Sequence, residues 1–184
     1  MKKYFHFLSI FLFTTSVLFG QTDTVNFPTD WLGEWTGDLV ISTTQGQQMN
    51  VPMILRITPV ADRYTYTIVY GEDTPENTRG YFLQAVPDEP GHFQVDEDNG
   101  IILDDYFIGN KLYSRFEVMG SLLLSTLEAR GDQLIYEIIS GAMEPVVVTG
   151  DTIIAGDTIP PVNSFGVRVQ QRAVLTRSGE GVDK

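Results

Sequence analysis

The chain has 184 residues, of which 12 are basic and 24 acidic, with a formal net charge of −12 and no cysteine. An acidic surface repels phosphate backbones and anionic membranes, which argues against a nucleic acid or a charged bilayer as a partner. The lack of cysteine excludes disulfides, thiolate catalysis and every cysteine-based metal site.

Residues 1–20 are typical of a secretory signal peptide. Lys2 and Lys3 precede an apolar run over residues 5–18, and Gly20 is a small residue at which a signal peptidase can cut. The run is shorter than the roughly 20 apolar residues of a transmembrane helix. We therefore predict an exported bacterial protein, periplasmic or secreted, with no membrane span after signal removal. The mature chain would keep ten basic and 24 acidic residues, a formal charge of −14.

Residues 21–177 are predicted to form a single all-β domain. Apolar and polar residues alternate with the period of two that half-buried strands show. Ten such runs follow one another: 35–42, 51–57, 64–70, 78–86, 93–95, 101–108, 112–118, 121–130, 133–140 and 165–175. Asn99-Gly100 and Gly109-Asn110 separate runs as tight hairpin turns do. One short helical turn is expected within residues 22–31.

Two segments depart from this pattern. Residues 141–163 contain an internal echo, Gly-Asp-Thr-Ile at 150–153 and again at 156–159. We predict a long loop or flap between the last two barrel strands, which could gate the mouth of a barrel, because loops of this length usually carry function. Residues 178–184 are predicted to be a flexible tail.

Successive strands leave two exposed edges unless the sheet closes on itself. Closure predicts an up-and-down antiparallel β-barrel of about 8–10 strands, whose interior has room for one small ligand. A β-sandwich remains the alternative.

The first strand carries Gly33-x-Trp35, which resembles the signature of the lipocalins and their calycin relatives, including the fatty-acid-binding proteins and the avidins. In that group the tryptophan plugs the closed end of the barrel, and an arginine near the end of the last strand packs over it. Arg177 has the same parity as Leu175 and Ala173, so we expect it to lie over Trp35. Trp31, before the strand, is interpreted as a lid or interface residue.

The acidic stretch around residues 93–105 does not fit a calcium loop. With Gly100 at position six of an EF-hand, position one would be Val95, which cannot ligate the ion. The acidic side chains are therefore expected to face water around an Asn99-Gly100 turn. They are Asp96, Glu97, Asp98, Asp104 and Asp105.

No cofactor, metal or catalytic residue is predicted. His92 is the single histidine of the mature chain, which cannot build a zinc site of two or three histidines. It is expected at the surface beside a turn. Nucleophile motifs and phosphate-binding glycine loops are absent from the sequence.

The candidate ligand-binding residues combine apolar area with a polar tip, as an amphipathic ligand needs. They are Tyr64, Tyr66, Tyr81 and Tyr136, with Arg79 and Arg115 as partners for a carboxylate, the role that the calycin resemblance implies for an interior arginine. Core packing is the alternative for each tyrosine. Arg115 alternates with Leu112, Phe116 and Val118, which favours an outward side chain.

Three functions remain open. The first is a barrel that binds a small apolar or amphipathic molecule, and an interior above roughly 300 Å³ would favour it. The second is a solid-core envelope interaction module without a ligand. The third is a cyclase or isomerase of the same barrel, which predicts a buried carboxylate with a raised pKa facing the cavity.

Overall fold

The computed structural model describes residues 25–179. The predicted signal peptide, the first four residues of the predicted domain and residues 180–184 of the predicted tail lie outside this range. Within it, Ser178 still belongs to the barrel, because its backbone N–H donates to the carbonyl of Glu34 at 2.8 Å.

Fourteen strands and two short 3-10 helices make up the described residues. The strands are β1 (Gly33–Thr43), β2 (Gly46–Val60), β3 (Arg63–Tyr70), β4 (Thr78–Ala85), β5 (His92–Asp96), β6 (Ile102–Ile108), β7 (Lys111–Val118), β8 (Ser121–Arg130), β9 (Gln133–Ala142), β10 (Pro145–Thr149), β11 (Thr152–Ile154), β12 (Asp157–Ile159), β13 (Val162–Phe165) and β14 (Val169–Arg177). The 3-10 helices are Thr29–Trp31 and Pro75–Asn77. No helix within residues 25–179 is both long and apolar enough to cross a bilayer.

Ten strands close into one antiparallel barrel. Strands β1 to β9 pair in chain order, and β14 fills the gap between β9 and β1. The predicted all-β, up-and-down barrel is confirmed, and the β-sandwich is excluded. Closure leaves the barrel strands without a free edge.

The predicted tenth run, residues 165–175, was wrong at its start. Phe165 ends β13, and the barrel strand begins only at Val169. The backbone N–H of Arg168 donates to the carbonyl of Ser140 at 2.8 Å, which brings the chain back beside β9. Polarity alternates through both pieces, so the pattern does not mark the break between them.

Residues 143–168, here called the arm, form paired strands rather than an irregular loop. β10 pairs with β13, and β11 pairs with β12. The internal echo explains the inner pair, because Thr152 lies opposite Ile159 and Ile153 opposite Thr158. The tip turns at Ala155-Gly156, where both residues have positive φ, 54° and 93°. This is the geometry of a two-residue hairpin turn.

Aromatic side chains fill the end of the barrel where β1 begins. Phe27 packs against Trp31 and Phe93 with ring centres 4.7 Å apart, and it stacks on Phe107 at 4.9 Å. Trp31 is only 1% exposed and belongs to the hydrophobic core. The interpretation of Trp31 as a lid or interface residue was therefore wrong, because the 3-10 turn before β1 folds it under the barrel.

Gly37 allows β1 to lie close to β14. A Cβ at this position would come within 2.2 Å of the carbonyl oxygen of Val174, so no side chain fits there. The closed end therefore depends on glycine in the first strand as well as on the aromatic core.

Candidate functional site: a tyrosine-lined cavity

The plug at the closed end is a set of satisfied contacts. Trp35 and Arg177 are register partners on β1 and β14, and the guanidinium carbon lies 4.2 Å from the centre of the indole ring. Arg177 donates hydrogen bonds to the carbonyls of Leu32 and, at 2.9 Å, Asp30. Trp35 donates through Nε1 to the carbonyl of Trp31 at 2.9 Å. These groups stabilise the scaffold and leave no donor of Trp35 for a ligand.

Above the plug, the barrel interior holds a cavity of about 170 Å³. Seven strands and the residue after β5 contribute inward side chains. The lining consists of four tyrosines (Tyr66, Tyr70, Tyr81, Tyr136), five apolar residues (Ile68, Val95, Leu103, Phe116, Ile138) and four polar residues (Glu97, Asp105, Ser114, Ser125). The volume is below the 300 Å³ expected of a drug-sized pocket, and it is close to the roughly 150 Å³ of a cavity that accepts benzene.

Strand register places the polar groups at the same depth. Asp105 on β6 lies directly opposite Ser114 on β7, and Ser114 lies opposite Ser125 on β8. Across the interior, the hydroxyls of Tyr70 and Tyr136 are 3.2 Å apart, within hydrogen-bonding distance. The cavity therefore combines apolar walls with one polar corner, formed by Asp105, Ser114 and Ser125, and one hydroxyl pair.

Asp105 is the unusual member of this set. It is 5% exposed, Ser114 is 7% exposed, and within the described residues neither Oδ1 of Asp105 nor Oγ of Ser114 has a hydrogen-bond partner. Burial raises the pKa of Asp105 to about 7; the neighbouring hydroxyl of Ser114 opposes this rise, and the negative charge of Asp104 adds to it. A buried carboxylate with a pKa near neutrality is typical of functional sites.

The expectation that all five acidic residues face water was wrong for Asp105, and also for Glu97, which is half-buried and lines the cavity. The predicted hairpin is present, since β5 pairs with β6, but its second strand turns alternate residues inward. Leu103, Asp105 and Phe107 share one face of β6, so the parity of two apolar neighbours was the signal that could have identified Asp105. Asp105 was instead grouped with the other acidic residues of the stretch, which were expected to face water.

The cavity tyrosines are protonated at neutral pH. Burial raises the pKa of Tyr66, Tyr70, Tyr81 and Tyr136, most strongly for the deeply buried ones. Each phenol can therefore donate one hydrogen bond and present an apolar ring face.

The structure brings together three of the six residues proposed from sequence for ligand binding. Tyr66, Tyr81 and Tyr136 line the cavity. Tyr64 points inward but packs against the hydrophobic core nearer the closed end. The residues that sequence reasoning missed are Tyr70, Glu97, Asp105, Ser114 and Ser125.

Neither proposed arginine lines the cavity. Arg79 sits exposed at the rim of the barrel, where its Nη1 donates to the carbonyls of Glu76 at 2.9 Å and Thr78 at 3.1 Å. Arg115 lies on the outer face, because its strand partner is Leu124 and the inward positions of β7 are Leu112, Ser114 and Phe116. A carboxylate deep in the barrel would therefore find no guanidinium among the lining residues.

Two further concavities lie elsewhere on the described residues. An outer groove of about 250 Å³ runs between β8, β9 and the returning arm and includes Arg115, Leu124 and Phe165. A cavity of about 320 Å³ at the closed end includes Val25, Asp132 and Arg177. In the second, the guanidinium is already committed to two carbonyls, and the cavity borders Val25, where the described residues begin.

No residue of the arm lines the interior cavity. The arm leaves the barrel at the end opposite the plug and packs its base on the outside of β8 and β9. A gating role for residues 141–163 stays a prediction.

His92 lies on the outer side of β5, with its side chain 13% exposed. Its ring stacks on Tyr106 at 4.6 Å and lies between Glu89 and Asp104, at 2.7 and 2.9 Å. Hydrogen bonds to these carboxylates raise the pKa of His92. Within residues 25–179, no group of three or more His, Cys, Asp or Glu side chains is placed to hold a metal ion.

The described residues form a closed, ten-stranded, up-and-down antiparallel barrel, which is the architecture that the calycin resemblance implies. No family model and no curated protein matches the chain. Among solved structures, it is similar to a protein of unknown function of the DUF3598 family from Nostoc punctiforme, with 14% identity and a TM-score of 0.54 over 80% of this chain. The chain spans 48% of that protein's length, and at this identity the likeness shows the fold alone.

A second similar structure is zebrafish ileal bile acid-binding protein complexed with cholic acid. Its identity is 13% and its TM-score 0.43, over 80% of this chain and 98% of that one. That likeness is too low to carry an argument about the ligand, so function has to be argued from the cavity itself.

Proposed function

We propose that this protein binds a small apolar or amphipathic molecule inside its barrel. The observation that supports the proposal is the cavity lined by four tyrosines, with two buried polar atoms that have no partner among the described residues. Unsatisfied buried polar atoms are rare in native proteins, and each is unfavourable by about 1–3 kcal/mol. A bound molecule that supplies the missing hydrogen bonds would remove that penalty.

The volume limits the size of the ligand. A cavity of about 170 Å³ suits a body of one or two rings, and larger molecules would have to extend through the mouth. Tyr70, Tyr81 and Phe116 are partly exposed around the upper cavity, so the entrance is apolar with polar tips.

Binding can be tested by filling the cavity. Ser125→Phe places a ring among the lining residues, whereas Thr126→Phe places the same ring on the outer face of the same strand. We expect wild type and T126F to bind a small fluorescent apolar probe and to carry a co-purifying molecule visible by native mass spectrometry, and S125F to lose both. Equal binding by all three proteins would place the probe outside the barrel and contradict the proposal.

Absence of any probe binding or co-purifying molecule in the wild type would favour the second candidate, a solid-core interaction module. The small volume of the cavity is the observation that keeps this alternative in view.

Acid–base catalysis in the same interior is favoured by one observation, the buried carboxylate of Asp105 with its raised pKa. Such a group could take a proton from a carbon next to a carbonyl and return it at another position. Hydrogen exchange into a small cyclic ketone, followed by NMR in heavy water, tests this. Catalysed exchange that disappears in Asp105→Asn would support an enzyme, and exchange equal to buffer alone would argue against one.

Export of the protein is also proposed, on the composition of residues 1–20. Expression of the full chain in a Gram-negative host, with fractionation and N-terminal sequencing, should give a periplasmic or secreted product that begins near Gln21. A cytoplasmic product that retains Met1 or Lys2 would contradict this.

A further inference from the structure

We infer that the cavity selects a cationic ligand, a small molecule with an ammonium group on an apolar body. The inference rests on the proposed binding function and narrows it to a chemical class. It depends on the charges that line the cavity, on the unpartnered atoms and on the ring faces around them.

The charge balance of the lining is negative. Asp105 and Glu97 are carboxylates, and the lining contains no lysine, arginine or histidine. Arg79, at the rim, donates to two backbone carbonyls and keeps its positive charge, which acts on the phenols of Tyr70 and Tyr81. The charge that shifts the pKa of Asp105 is instead the negative one of Asp104. The chain as a whole carries a formal charge of −12, so the surrounding field also favours cations over anions.

The polar corner combines a carboxylate, which accepts hydrogen bonds when it is ionised, with a serine hydroxyl, which can both accept and donate one. Oδ1 of Asp105 and Oγ of Ser114 are buried and unpartnered among the described residues, and they face each other across adjacent strands. An ammonium group has three N–H donors and no acceptor, so it can satisfy both atoms at once. It would also supply the counter-ion that a buried carboxylate requires.

The walls suit the same ligand. Four tyrosine rings line the cavity, and the face of an aromatic ring attracts a cation. Their raised pKa values keep the phenols neutral, so they do not add negative charge. An apolar body fits against Ile68, Val95 and Ile138, which line the same space.

Selectivity should depend on pH. The ionisable groups around Asp105 are Glu97, Asp104 and the phenols of Tyr66, Tyr70, Tyr81 and Tyr136. Among them, Asp105 is the lining group whose pKa lies near 7, so a rise from pH 6 to pH 8 ionises it while an aliphatic amine stays protonated. Amine affinity is therefore expected to rise several-fold across this range.

The test compares three probes of one shape: benzylamine, benzyl alcohol and benzoate. Ligand-observed NMR titrations with the wild type at pH 8 should give at least tenfold tighter binding of benzylamine than of benzyl alcohol, and no saturable binding of benzoate. Asp105→Asn should abolish the preference and leave amine and alcohol equal. Asp104→Asn, which changes the neighbouring outward carboxylate, is the matched control and should keep the preference.

Benzoate or the alcohol binding as tightly as the amine would overturn the inference and leave the binding function intact. Failure of the amine to bind at all would also overturn the inference. The comparison of S125F with T126F would then test separately whether the barrel binds any small molecule. A preference that survives in D105N would show that the cation is recognised elsewhere.

Discussion

The plug and the cavity above it use polar groups in opposite ways. In the plug, the guanidinium of Arg177 and the indole nitrogen of Trp35 have partners, and only Nε1 of the neighbouring Trp31 lacks one among the described residues. In the cavity, at the middle of β6 and β7, Asp105 and Ser114 are buried and each has a polar atom without a partner among the described residues. The plug is built for stability, whereas the cavity keeps unsatisfied groups that a ligand could use.

The largest expected effect concerns the closed end. Trp35→Ala removes a side chain that is 4% exposed and leaves a large void, so we expect the free energy of unfolding to fall by about 3–5 kcal/mol. Urea denaturation monitored by far-UV circular dichroism measures this. Tyr113→Phe, on the outer face of β7, is the control and should change stability by less than about 0.5 kcal/mol. A loss below about 1 kcal/mol for W35A would contradict the contrast between the plug and the cavity.

The next effect has the opposite sign and concerns Asp105. Its pKa is about 7 in the folded state and 3.8 when unperturbed, so between these values the folded protein holds a proton that the unfolded chain has released. Stability is therefore lost progressively as pH rises from about 4 to about 7, and the loss is complete above 7. Asp105→Asn removes this loss, and relative to wild type it should gain up to about 4 kcal/mol between pH 4 and pH 8.

Chemical denaturation of both proteins at several pH values measures that difference. Asp104→Asn is the control, because hydrogen bonds from Gln94 and His92 lower the pKa of Asp104. Removing this carboxylate should reduce stability above its unperturbed pKa rather than increase it. If the difference in free energy of unfolding between D105N and wild type did not change with pH, Asp105 would have to be hydrated in solution.

The sequence predicted the barrel and the plug but not the polar corner of the cavity. Strand alternation and turn residues predicted the barrel, because a buried face is repeated in every strand. The position of Arg177 over Trp35 was expected from the calycin resemblance, and parity supported it, since both residues lie on strands that closure makes neighbours. The polar corner was missed because Asp105 and Ser114 are far from Tyr66 and Tyr136 in sequence and meet only through register.

Arg115 and Trp31 show two other reasons for error. Arg115 was considered for the interior although its own alternation pointed outward, and the structure places it beside Leu124 on the outer face. A short helical turn was expected within residues 22–31, but Trp31 lies outside the alternating pattern, so nothing local indicated that the turn would bury it. Residues in turns take their environment from the tertiary fold, which period-two patterns do not describe.

A third prediction weighs the plug contact. Arg177→Met removes the cation–π contact with Trp35 and two hydrogen bonds to backbone carbonyls, so we expect a loss of about 1–3 kcal/mol. Arg177→Lys should cause a smaller loss of stability than Arg177→Met, because lysine keeps the positive charge. It should still be less stable than wild type, because an ammonium cannot reproduce the planar, two-pronged hydrogen bonding of a guanidinium. Arg130→Met is the control, since Arg130 pairs with Glu128 at the surface and should matter by less than about 1 kcal/mol. Equal losses of stability for R177M and R130M would show that Arg177 stabilises the fold no more than a surface arginine does.

A fourth prediction concerns the hydroxyl pair in the cavity. Tyr70→Phe leaves the hydroxyl of the deeply buried Tyr136 without its partner at 3.2 Å, and we expect a loss of about 0.5–1.5 kcal/mol. Tyr136→Phe and the double variant complete a mutant cycle, whose coupling energy should be about 1 kcal/mol. A coupling energy of zero would mean that the hydroxyl of Tyr136 forms its hydrogen bond with water in solution rather than with Tyr70.

The smallest effect is expected from the arm. Its strands β10 to β12 carry exposed apolar residues, including Val146, Val148 and Ile153, and they lie outside the hydrophobic core. The base of the arm is narrow, because Arg168 donates to Ser140 across it. Replacing residues 144–165 by a short Gly-Ser turn should therefore change stability by less than about 1 kcal/mol, and benzylamine affinity should stay the same because no arm residue lines the cavity. Faster binding and release of the probe with unchanged affinity would instead identify the arm as a gate, and loss of folding would show that the barrel depends on the arm for its last strand.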